Sequence, residues 1–341
     1  ARRGRRRRRR RDEATQALAR QVGIQFQELP VQVEIAKQGQ SREVDVDGRR
    51  VGLTNLDKVL WPKTGFTKGE ALDYYARIAP AILPHLAGRP LTRVRFPNGV
   101  GEKSFYEKRA PSHTPDWVKT APLEFGKEGL LNFVVCDERA TLIWLAQLAA
   151  LELHPSLSEA KDIERPTALA FDLDPGPPAT IIECCTVGLR IRDLLEQIGL
   201  ESFPKTSGSK GLQLYAPLNT KITYEQTKPF AHAVAQALER NDPKLVVSRM
   251  KKDLRKGKVF VDWSQNDRAK TTVAAYSLRA REQPTVSTPV TWDEVEAALD
   301  ASDPDLLRFE TPAVLERVET HGDLFAPVLE LKQKLPKSAP A

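Results

Sequence analysis

The sequence predicts a mixed α/β fold, and three observations support this class. Short runs that alternate apolar and polar residues, typical of strands, are separated by longer runs with helical spacing. Two strand-like runs, ALAFDLDP and KVFVDW, are strongly apolar before their aspartates. Apolar residues make up 40% of the 341-residue chain, which is enough for a substantial core. We therefore expect mixed and antiparallel sheets flanked by helices.

The elements of the first half follow in order along the chain. The segment REVDVDGRRVGL alternates around Asp47-Gly48 and predicts a hairpin. Thr67 with Glu70 three residues later has the spacing of a capping box, which predicts a helix up to Leu83. Further on, RPLTRVRFPNG and LLNFVVCD predict strands, and the latter leads into a helix over residues 140–151.

The second half has a similar alternation without an internal repeat. It predicts strands in ALAFDLDP, KVFVDW and TVAAYSLRAR, and a strand with a glycine-rich turn in FPKTSGSKGLQLYAPL. Helical spacing predicts helices over residues 179–198, 224–240, 291–299 and 313–331.

Charge and composition exclude several classes of protein. The net charge is +7, but nine arginines lie between positions 2 and 11, so the rest of the chain carries about −2 and any phosphate-binding surface must be local. The longest apolar stretch, residues 141–153, is too short to cross a membrane, and the N-terminus does not resemble a secretory signal. Three cysteines, Cys136, Cys184 and Cys185, cannot form a disulfide framework, so we expect them to be packing residues in a cytoplasmic protein.

Two aspartates at the end of a predicted strand are the first candidates for chemistry. The period of two places Asp172 and Asp174 on one face, with Leu173 on the other. Adjacent carboxylates repel each other, so the pair is stable mainly when a cation lies between them, and hard oxygen ligands suit Mg²⁺ or Mn²⁺. A solvated turn containing two aspartates is the commoner alternative.

A third aspartate strengthens the metal hypothesis. Asp262 lies near the end of the apolar run KVFVDW. A charge that is buried there without a partner would destabilise the fold by on the order of several kcal/mol, because it would be transferred from water into an apolar environment. Three carboxylates from two strand ends can hold two cations, an arrangement typical of enzymes that act on phosphates. An aspartate that begins a surface turn is the alternative.

Small and basic residues nearby suit a phosphate chain. In KTSGSKGLQLY the small residues allow backbone N–H groups to converge on an anion, and Lys210 adds charge, although the GxxxxGK spacing is absent. An ordinary hairpin turn is the alternative. Residues 248–281 form a dense cationic region that suits a polynucleotide backbone or a solvated face, and it includes Arg255, Arg279 and Arg281.

The first half contains a second mixture of basic and aromatic residues. Lys58 and Lys68 flank a WPKTGF turn, and Arg95 precedes the pair Phe105 and Tyr106. Basic and stacking side chains in alternation suit an unpaired base and its phosphate, with core packing as the alternative for the aromatic residues.

Several motifs together resemble one known family. In order, TNLDKVLWPKTGFTK, LPHLAGRPLTRVRFPNG, SFYEK, LELHPSLS, FDLDPG, KTSGSKGLQLY, KVFVDWSQN and AAYSLRAR are similar to the polymerase domain of bacterial ligase D. That domain belongs to the archaeo-eukaryotic primase superfamily, and the likeness extends over about residues 51–299. It implies a primase-polymerase fold whose catalytic part is RRM-like.

The resemblance also implies roles for individual residues. Asp172, Asp174 and Asp262 match the family's metal ligands, for two Mn²⁺ or Mg²⁺ ions. Nucleotide-binding positions are matched by Ser207, Lys210, Gln213, Arg279 and Arg281, with His154 close by; DNA-binding positions are matched by Lys58, Lys68, Arg95, Phe105 and Tyr106, to which we add Arg255 from the cationic region.

The chain departs from the family pattern at three points. The family usually has histidine where Gln213 stands, so a contact to the triphosphate becomes a neutral amide, and Tyr106 replaces the more common phenylalanine. Nothing in the sequence resembles the nucleotide-transferring lysine motif of a ligase, so we expect a stand-alone polymerase.

These observations predict the following organisation. Residues 1–40 form an arginine-rich, partly disordered extension that is either a solvated charge run or an arm on phosphate backbone; residues 41–312 form the catalytic domain, with a DNA-binding part at 41–165 and a catalytic part at 166–312; residues 313–341 form a C-terminal helix and tail.

The function we predict is template-dependent filling of short DNA gaps from NTPs or dNTPs. The partners would be gapped or primer-template DNA with a downstream 5′-phosphate, nucleoside triphosphates and, as a further candidate, a separate DNA ligase. The protein would be a monomer associated with the nucleoid in the cytoplasm. A gap- or single-strand-binding module with a weak catalytic site, and a two-metal nuclease or phosphatase, remain as alternatives.

Overall fold

Strands and helices alternate along the chain as the sequence predicts. The structure, a computed structural model, describes residues 42–125 and 129–336. The predicted 1–40 extension and the last five residues of the predicted C-terminal tail therefore lie outside the described residues.

The first half of the chain builds a helix pair and an antiparallel sheet. Thr67 and Glu70 form the predicted capping box at the start of α1. Five strands form the sheet in the order β6-β5-β8-β7, with β9 also paired to β5. The elements are β1 Arg42–Val46, β2 Arg49–Leu53, β3 Val59–Trp61, β4 Phe66–Thr67, α1 Lys68–Leu86, β5 Pro90–Arg95, β6 Phe105–Glu107, β7 Thr120–Glu124, β8 Leu130–Val135, α2 Arg139–Gln147 and β9 Ala150–Pro155.

The second half builds another five-stranded sheet, in the order β11-β12-β10-β14-β13. The succession βαββαβ, formed by all of these elements except the additional edge strand β13, and the strand order confirm the RRM-like prediction. The pairs are antiparallel except β13 with β14, so the sheet is mixed as expected. Its elements are β10 Ala168–Pro175, α3 Ile181–Gln197, β11 Phe203–Thr206, β12 Leu212–Pro217, α4 Tyr224–Asn241, β13 Val246–Val247 and β14 Val259–Asp262.

Strand β10 divides two hydrophobic cores and thereby determines where the carboxylates lie. Leu169, Phe171 and Leu173 pack into a core with helices α3 and α4, whereas Ala168 and Ala170 belong to the core of the first half. The period of two places Asp172 and Asp174 on the same face as these alanines. The aspartates therefore lie on the face that is directed toward the first half of the chain.

The last elements pack against both cores. They are β15 Leu278–Ala280, β16 Pro284–Val286, α5 Trp292–Ala301, α6 Thr311–His321 and α7 Pro327–Glu330. The helix predicted over 313–331 is therefore two helices, because Gly322 has a φ of 71° and Asp323 turns inward to bind His85 Nε2 at 2.8 Å. The strand predicted in TVAAYSLRAR is confined to Leu278–Ala280.

The helix predicted over 140–151 is too long. It ends at Gln147, and Ala149 adopts a left-handed φ of 56° that turns the chain into β9. An apolar run suits a buried helix and a buried strand equally, so its periodicity did not reveal this boundary. Cys136, Cys184 and Cys185 are buried and free, as expected of packing residues. Over the described ranges, no helix is long and apolar enough to cross a membrane.

Candidate active site

Four polar side chains form a row across the second sheet. Asp172 on β10 lies directly opposite Gln213 on β12 and Asp262 on β14, and Gln213 lies opposite Lys205 on β11. Directly opposed residues in antiparallel strands share a face and have neighbouring side chains. The structure therefore brings Asp172 and Asp262 together, with Asp174 two residues further along β10.

Hydrogen bonds hold two of these carboxylates. Gln213 Nε2 donates to Asp172 Oδ1 at 3.0 Å. Asp262 Oδ1 accepts from the Ser264 hydroxyl at 2.6 Å, and its Oδ2 accepts from Gln265 Nε2 at 2.8 Å. Among the residues that the structure describes, no three His, Cys, Asp or Glu side chains are arranged to hold a metal ion. Ligation by all three aspartates would therefore require their side chains to move from these positions.

Neighbouring carboxylates destabilise the ionised forms of Asp172 and Asp174. Burial, followed by the charge of Asp174, raises the pKa of Asp172 to about 7 from its usual 3.8. Partial desolvation and the charge of Asp262 raise the pKa of Asp174 as well. A bound cation would stabilise the ionised form of such carboxylates, because it offsets both the burial and the repulsion between like charges.

The SGSKG turn between β11 and β12 is organised by Ser207. The Ser207 hydroxyl accepts from the backbone N–H of Ser209 at 3.2 Å and of Gly211 at 3.1 Å. A Cβ on Gly208 would lie 2.7 Å from Ser287 N, and one on Gly211 would lie 2.1 Å from Leu173 O. Only glycine fits at these two places, because the turn is packed against the backbone of neighbouring segments.

A glutamate that sequence reasoning missed links His154 to Arg279. Glu152 on β9 lies 3.1 Å from His154 Nε2 and 3.2 Å from Arg279 Nε, and it accepts from Ala280 N at 3.0 Å. Burial alone would raise its pKa, but the hydrogen bond from His154 and the charge of Arg279 outweigh it and lower the pKa to about 2. Burial lowers the pKa of His154. The signal for Glu152 was a charged residue inside the apolar run LELHP.

Arg279 connects this cluster to the SGSKG turn. Its Nη1 donates to Ser207 O at 3.1 Å. Arg281 lies beyond the end of β15. Its charge and that of Arg279 partly offset the rise in the pKa of Asp174 that burial and Asp262 cause. The two arginines are thus near the carboxylates, as predicted.

A cavity of about 600 Å³ opens beside the turn, and its lining includes Gly208, Ser209, Lys210, Arg281 and Arg308. This volume is within the range of small-molecule sites. The lining also includes Glu282 and Asp305, so three cationic side chains, Lys210, Arg281 and Arg308, face two acidic ones and the cavity carries a small net positive charge.

Arg255 lies nearer to the carboxylates than its predicted role in DNA binding suggests. Its charge partly offsets the rise in the pKa of Asp174, and its guanidinium lies 3.7 Å from the centre of the Phe260 ring. The Arg255 carbonyl packs against Gly176, where a Cβ would approach it to 1.9 Å.

Lys58 and Lys68 form a second basic site. Lys68 is 6% exposed and donates to Thr54 O at 2.8 Å, while Lys58 donates to Pro97 O at 2.7 Å. Burial, followed by the charge of Lys58, lowers the pKa of Lys68 to about 8. Lys63, in the same WPKTGF turn, forms an ion pair of 2.6 Å with Glu282, which directly follows Arg281. The WPKTGF turn is therefore joined to the segment that contains Arg281.

The aromatic pair is exposed at the edge strand β6. Phe105 is 42% exposed and Tyr106 is 61% exposed, which excludes core packing as their role. Tyr106 also makes a 3.2 Å hydrogen bond with Thr271. Arg95, by contrast, binds Glu107 at 3.0 Å and Leu148 O at 2.8 Å within the protein.

Comparison with known proteins identifies the class. A family model described as "LigD, primase-polymerase domain" matches residues 67–325, so the chain is of the primase-polymerase class. The multifunctional non-homologous end joining protein LigD of Mycolicibacterium smegmatis is 46% identical over 281 residues, covering 82% of this chain and 36% of that protein. The bifunctional LigD of Bacillus subtilis is 32% identical over 291 residues, covering 85% of this chain and 46% of that protein.

A solved structure agrees with these matches. The polymerase domain of Mycobacterium tuberculosis ligase D, solved in complex with DNA, aligns with a TM-score of 0.76 and 44% identity, covering 82% of this chain and 98% of that domain. The chain belongs to the LigD primase-polymerase domain family. It spans between about a third and a half of the length of the two full-length relatives.

Proposed function

We propose that this chain is a template-dependent primase-polymerase that fills short DNA gaps by nucleotidyl transfer from NTPs or dNTPs during end-joining repair. Family membership supports a nucleotidyltransferase, and the relatives' names place LigD proteins in end joining. DNA is the ligand of the related solved domain.

One observation carries the proposal. A carboxylate row on the sheet face directed toward the first half lies against a cluster of cations that the sequence places far away along the chain. Asp172 lies opposite Asp262, and Asp174, two residues further along the strand, lies close enough to Arg279 and Arg281 for their charges to favour its ionised form. Nucleotidyl transfer needs this combination, because a triphosphate brings negative charge to a site that must also hold cations.

The residues present fit divalent metal ions by their donor chemistry. Asp172, Asp174 and Asp262 offer hard carboxylate oxygens, which Mg²⁺ and Mn²⁺ prefer, and two of them have raised pKa values. We assign two ions to these ligands. When bound, such ions lower the pKa of an attacking hydroxyl and neutralise charge on a leaving pyrophosphate.

The remaining residues bind and orient the substrates. Lys210 and Arg281, which line the cavity beside the SGSKG turn, and Arg279, which donates to Ser207 O in that turn, neutralise the triphosphate, and Ser207 holds the turn in shape. Glu152 fixes Arg279 and His154 at the edge of the site. At the DNA, Lys58 and Lys68 bind the downstream 5′-phosphate, while Phe105 and Tyr106 stack on template bases.

A labelled primer on a gapped template tests the proposal. The primer should lengthen with Mn²⁺ only when NTPs or dNTPs are present, and Asp172→Ala should abolish extension without changing DNA affinity. Asp300→Ala, an exposed aspartate on α5, serves as the matched control and should extend normally.

The alternatives give different outcomes in the same assay. Shortening of the strand without added nucleotides would indicate a nuclease. DNA binding with no change in length would indicate a binding module, and extension by Asp172→Ala would show that our assignment of the carboxylates is wrong.

A further inference from the structure

The row across the second sheet contains a lysine that none of the assigned roles uses. Lys205 is 1% exposed, and it lies opposite Gln213 in the β11–β12 pair. Its Nζ lies 2.5 Å from Gln213 Oε1 and 2.7 Å from Ser287 Oγ. A buried amine at the end of a row that leads to two carboxylates calls for a physical explanation.

The hydrogen bonds of this row can run in only one direction. The Ser287 hydroxyl donates its single proton to Thr206 O at 2.9 Å, so it accepts from Lys205. Lys205 also donates to Gln213 Oε1, and two N–H groups are enough for both bonds whether the amine is charged or neutral. The Gln213 amide then presents its N–H to Asp172 Oδ1.

The opposite orientation of the Gln213 amide is excluded at both ends. It would place the amide N–H₂ against the Lys205 donor and the amide oxygen against the Asp172 carboxylate. The choice of oxygen and nitrogen positions in Gln213 therefore rests on its two neighbours.

We propose that Lys205 is a positioning residue, which fixes the Gln213 amide so that it binds Oδ1 of Asp172 and leaves Oδ2 to a divalent cation. This inference rests on the proposed function insofar as Asp172 is a metal ligand. Residues that orient a metal ligand through hydrogen bonds typically contribute about 10- to 100-fold in metal affinity.

The sign of the effect separates positioning from plain electrostatics. A positive charge near Asp172 repels a cation, so at a pH above about 8, where Asp172 is ionised, removing Lys205 for its charge alone would tighten Mn²⁺ binding. If Lys205 acts by orienting Gln213, its removal weakens Mn²⁺ binding instead. Lys205→Met keeps the length of the side chain and removes the donor.

The inference extends to a variant with histidine at position 213. A histidine there would accept from Lys205 at one ring nitrogen and donate to Asp172 with the other, so Lys205 would fix its tautomer. Gln213→His should therefore retain Mn²⁺ binding and should still lose it when Lys205→Met is added.

A double-mutant cycle tests whether Lys205 acts through Gln213. Mn²⁺ affinity, measured by electron paramagnetic resonance of the free ion, is compared among wild type, Lys205→Met, Gln213→Leu and the double variant. We expect Lys205→Met to weaken binding about tenfold in the wild-type background and to have no effect in the Gln213→Leu background. Unchanged or tighter binding in Lys205→Met, or an equal loss in both backgrounds, would overturn the proposal.

A second readout needs neither metal nor activity. In the metal-free protein, NMR signals of the Gln213 side-chain amide, assigned by their loss in Gln213→Leu, should exchange slowly with water in the wild type and quickly in Lys205→Met. Equal exchange rates would overturn the positioning role. A chain that shows slow exchange and the expected Mn²⁺ coupling but does not extend primers would refute the proposed function and leave this inference standing.

Discussion

Replacing Asp172 by asparagine should stabilise the metal-free protein while preventing metal binding. The usual carboxylate pKa of 3.8 is raised to about 7 in the fold, first by burial and then by Asp174. A raised carboxylate pKa means that the folded state binds a proton more tightly than the unfolded state. The fold therefore loses stability as pH rises from about 4 to about 7, and the loss is complete above that range.

The magnitude follows from the difference between the two pKa values. A shift of about 3 units corresponds to about 4 kcal/mol at pH 8, which is an upper bound because water reaches part of the carboxylate. At pH 4 the same expression gives less than about 1 kcal/mol. Asparagine has nearly the same shape as aspartate, and its side-chain oxygen still accepts from Gln213. The free energy of unfolding of Asp172→Asn at pH 8 should therefore rise by most of this amount.

Thermal unfolding without metal at pH 4, 6 and 8 is the assay. At about 1.5 °C per kcal/mol for a chain of this size, Asp172→Asn should raise the melting temperature by up to about 6 °C at pH 8 and by little at pH 4. Added Mn²⁺ should then stabilise the wild type but not the variant. Asp300→Asn is the control for a change in net charge. A gain that does not grow with pH would refute the reasoning.

The remaining predictions concern DNA and the fold. Lys68→Ala should weaken binding about tenfold to DNA gaps that carry a 5′-phosphate and little to gaps without one, because the buried lysine beside Lys58 provides positive charge for the phosphate. Fluorescence anisotropy with both DNA substrates measures this, and equal losses of affinity would contradict phosphate binding by Lys68. Deleting residues 1–11 should flatten the salt dependence of DNA affinity, by about 0.9 in logarithmic slope for each phosphate that the arginines no longer neutralise; an unchanged slope would show that the arginines do not bind DNA. Gly211→Ala should cost about 1–3 kcal/mol in chemical denaturation, since its Cβ would lie 2.1 Å from Leu173 O, whereas Gly52→Ala has open space around it and is the control.

Local patterns predicted much of the fold because they depend on the chain's own periodicity. The capping box at Thr67 and the hairpin at Asp47-Gly48 are confirmed, and both need only neighbouring residues. The period of two also placed Asp172 and Asp174 correctly on one face of a strand. That face proved to be directed toward the first half because Ala168 and Ala170 pack into its core.

Features that depend on distant parts of the chain escaped prediction. The turn at Ala149 inside an apolar run was missed, since strand β9 is stabilised by pairing with β5 about sixty residues earlier. The break at Gly322 was missed because Asp323 is drawn inward by His85 and Tyr276, which are remote in sequence.

The candidate site shows the same division. The aspartates, Ser207 and the arginines came from motifs, whereas Glu152 and Lys205 did not, because their roles arise from partners on other strands. A charged residue within an apolar run was the available signal for Glu152, since burial of a charge demands a partner, whereas Lys205 stands among polar and small residues in FPKTSGS. The proximity of Arg255 to Asp174 was not predicted for a similar reason: it accompanies the close packing of the Arg255 backbone against Gly176, which is remote in sequence.

The central claim is that Asp172, Asp174 and Asp262 hold the cations for nucleotidyl transfer. The most direct test is the number of Mn²⁺ ions bound by the complex of the protein with gapped DNA and a non-hydrolysable nucleoside triphosphate. We expect about two ions per chain in the wild type, as in other two-metal sites, and a loss of tight binding in Asp172→Asn. A wild-type complex without tightly bound Mn²⁺, or full occupancy in Asp172→Asn, would contradict the account.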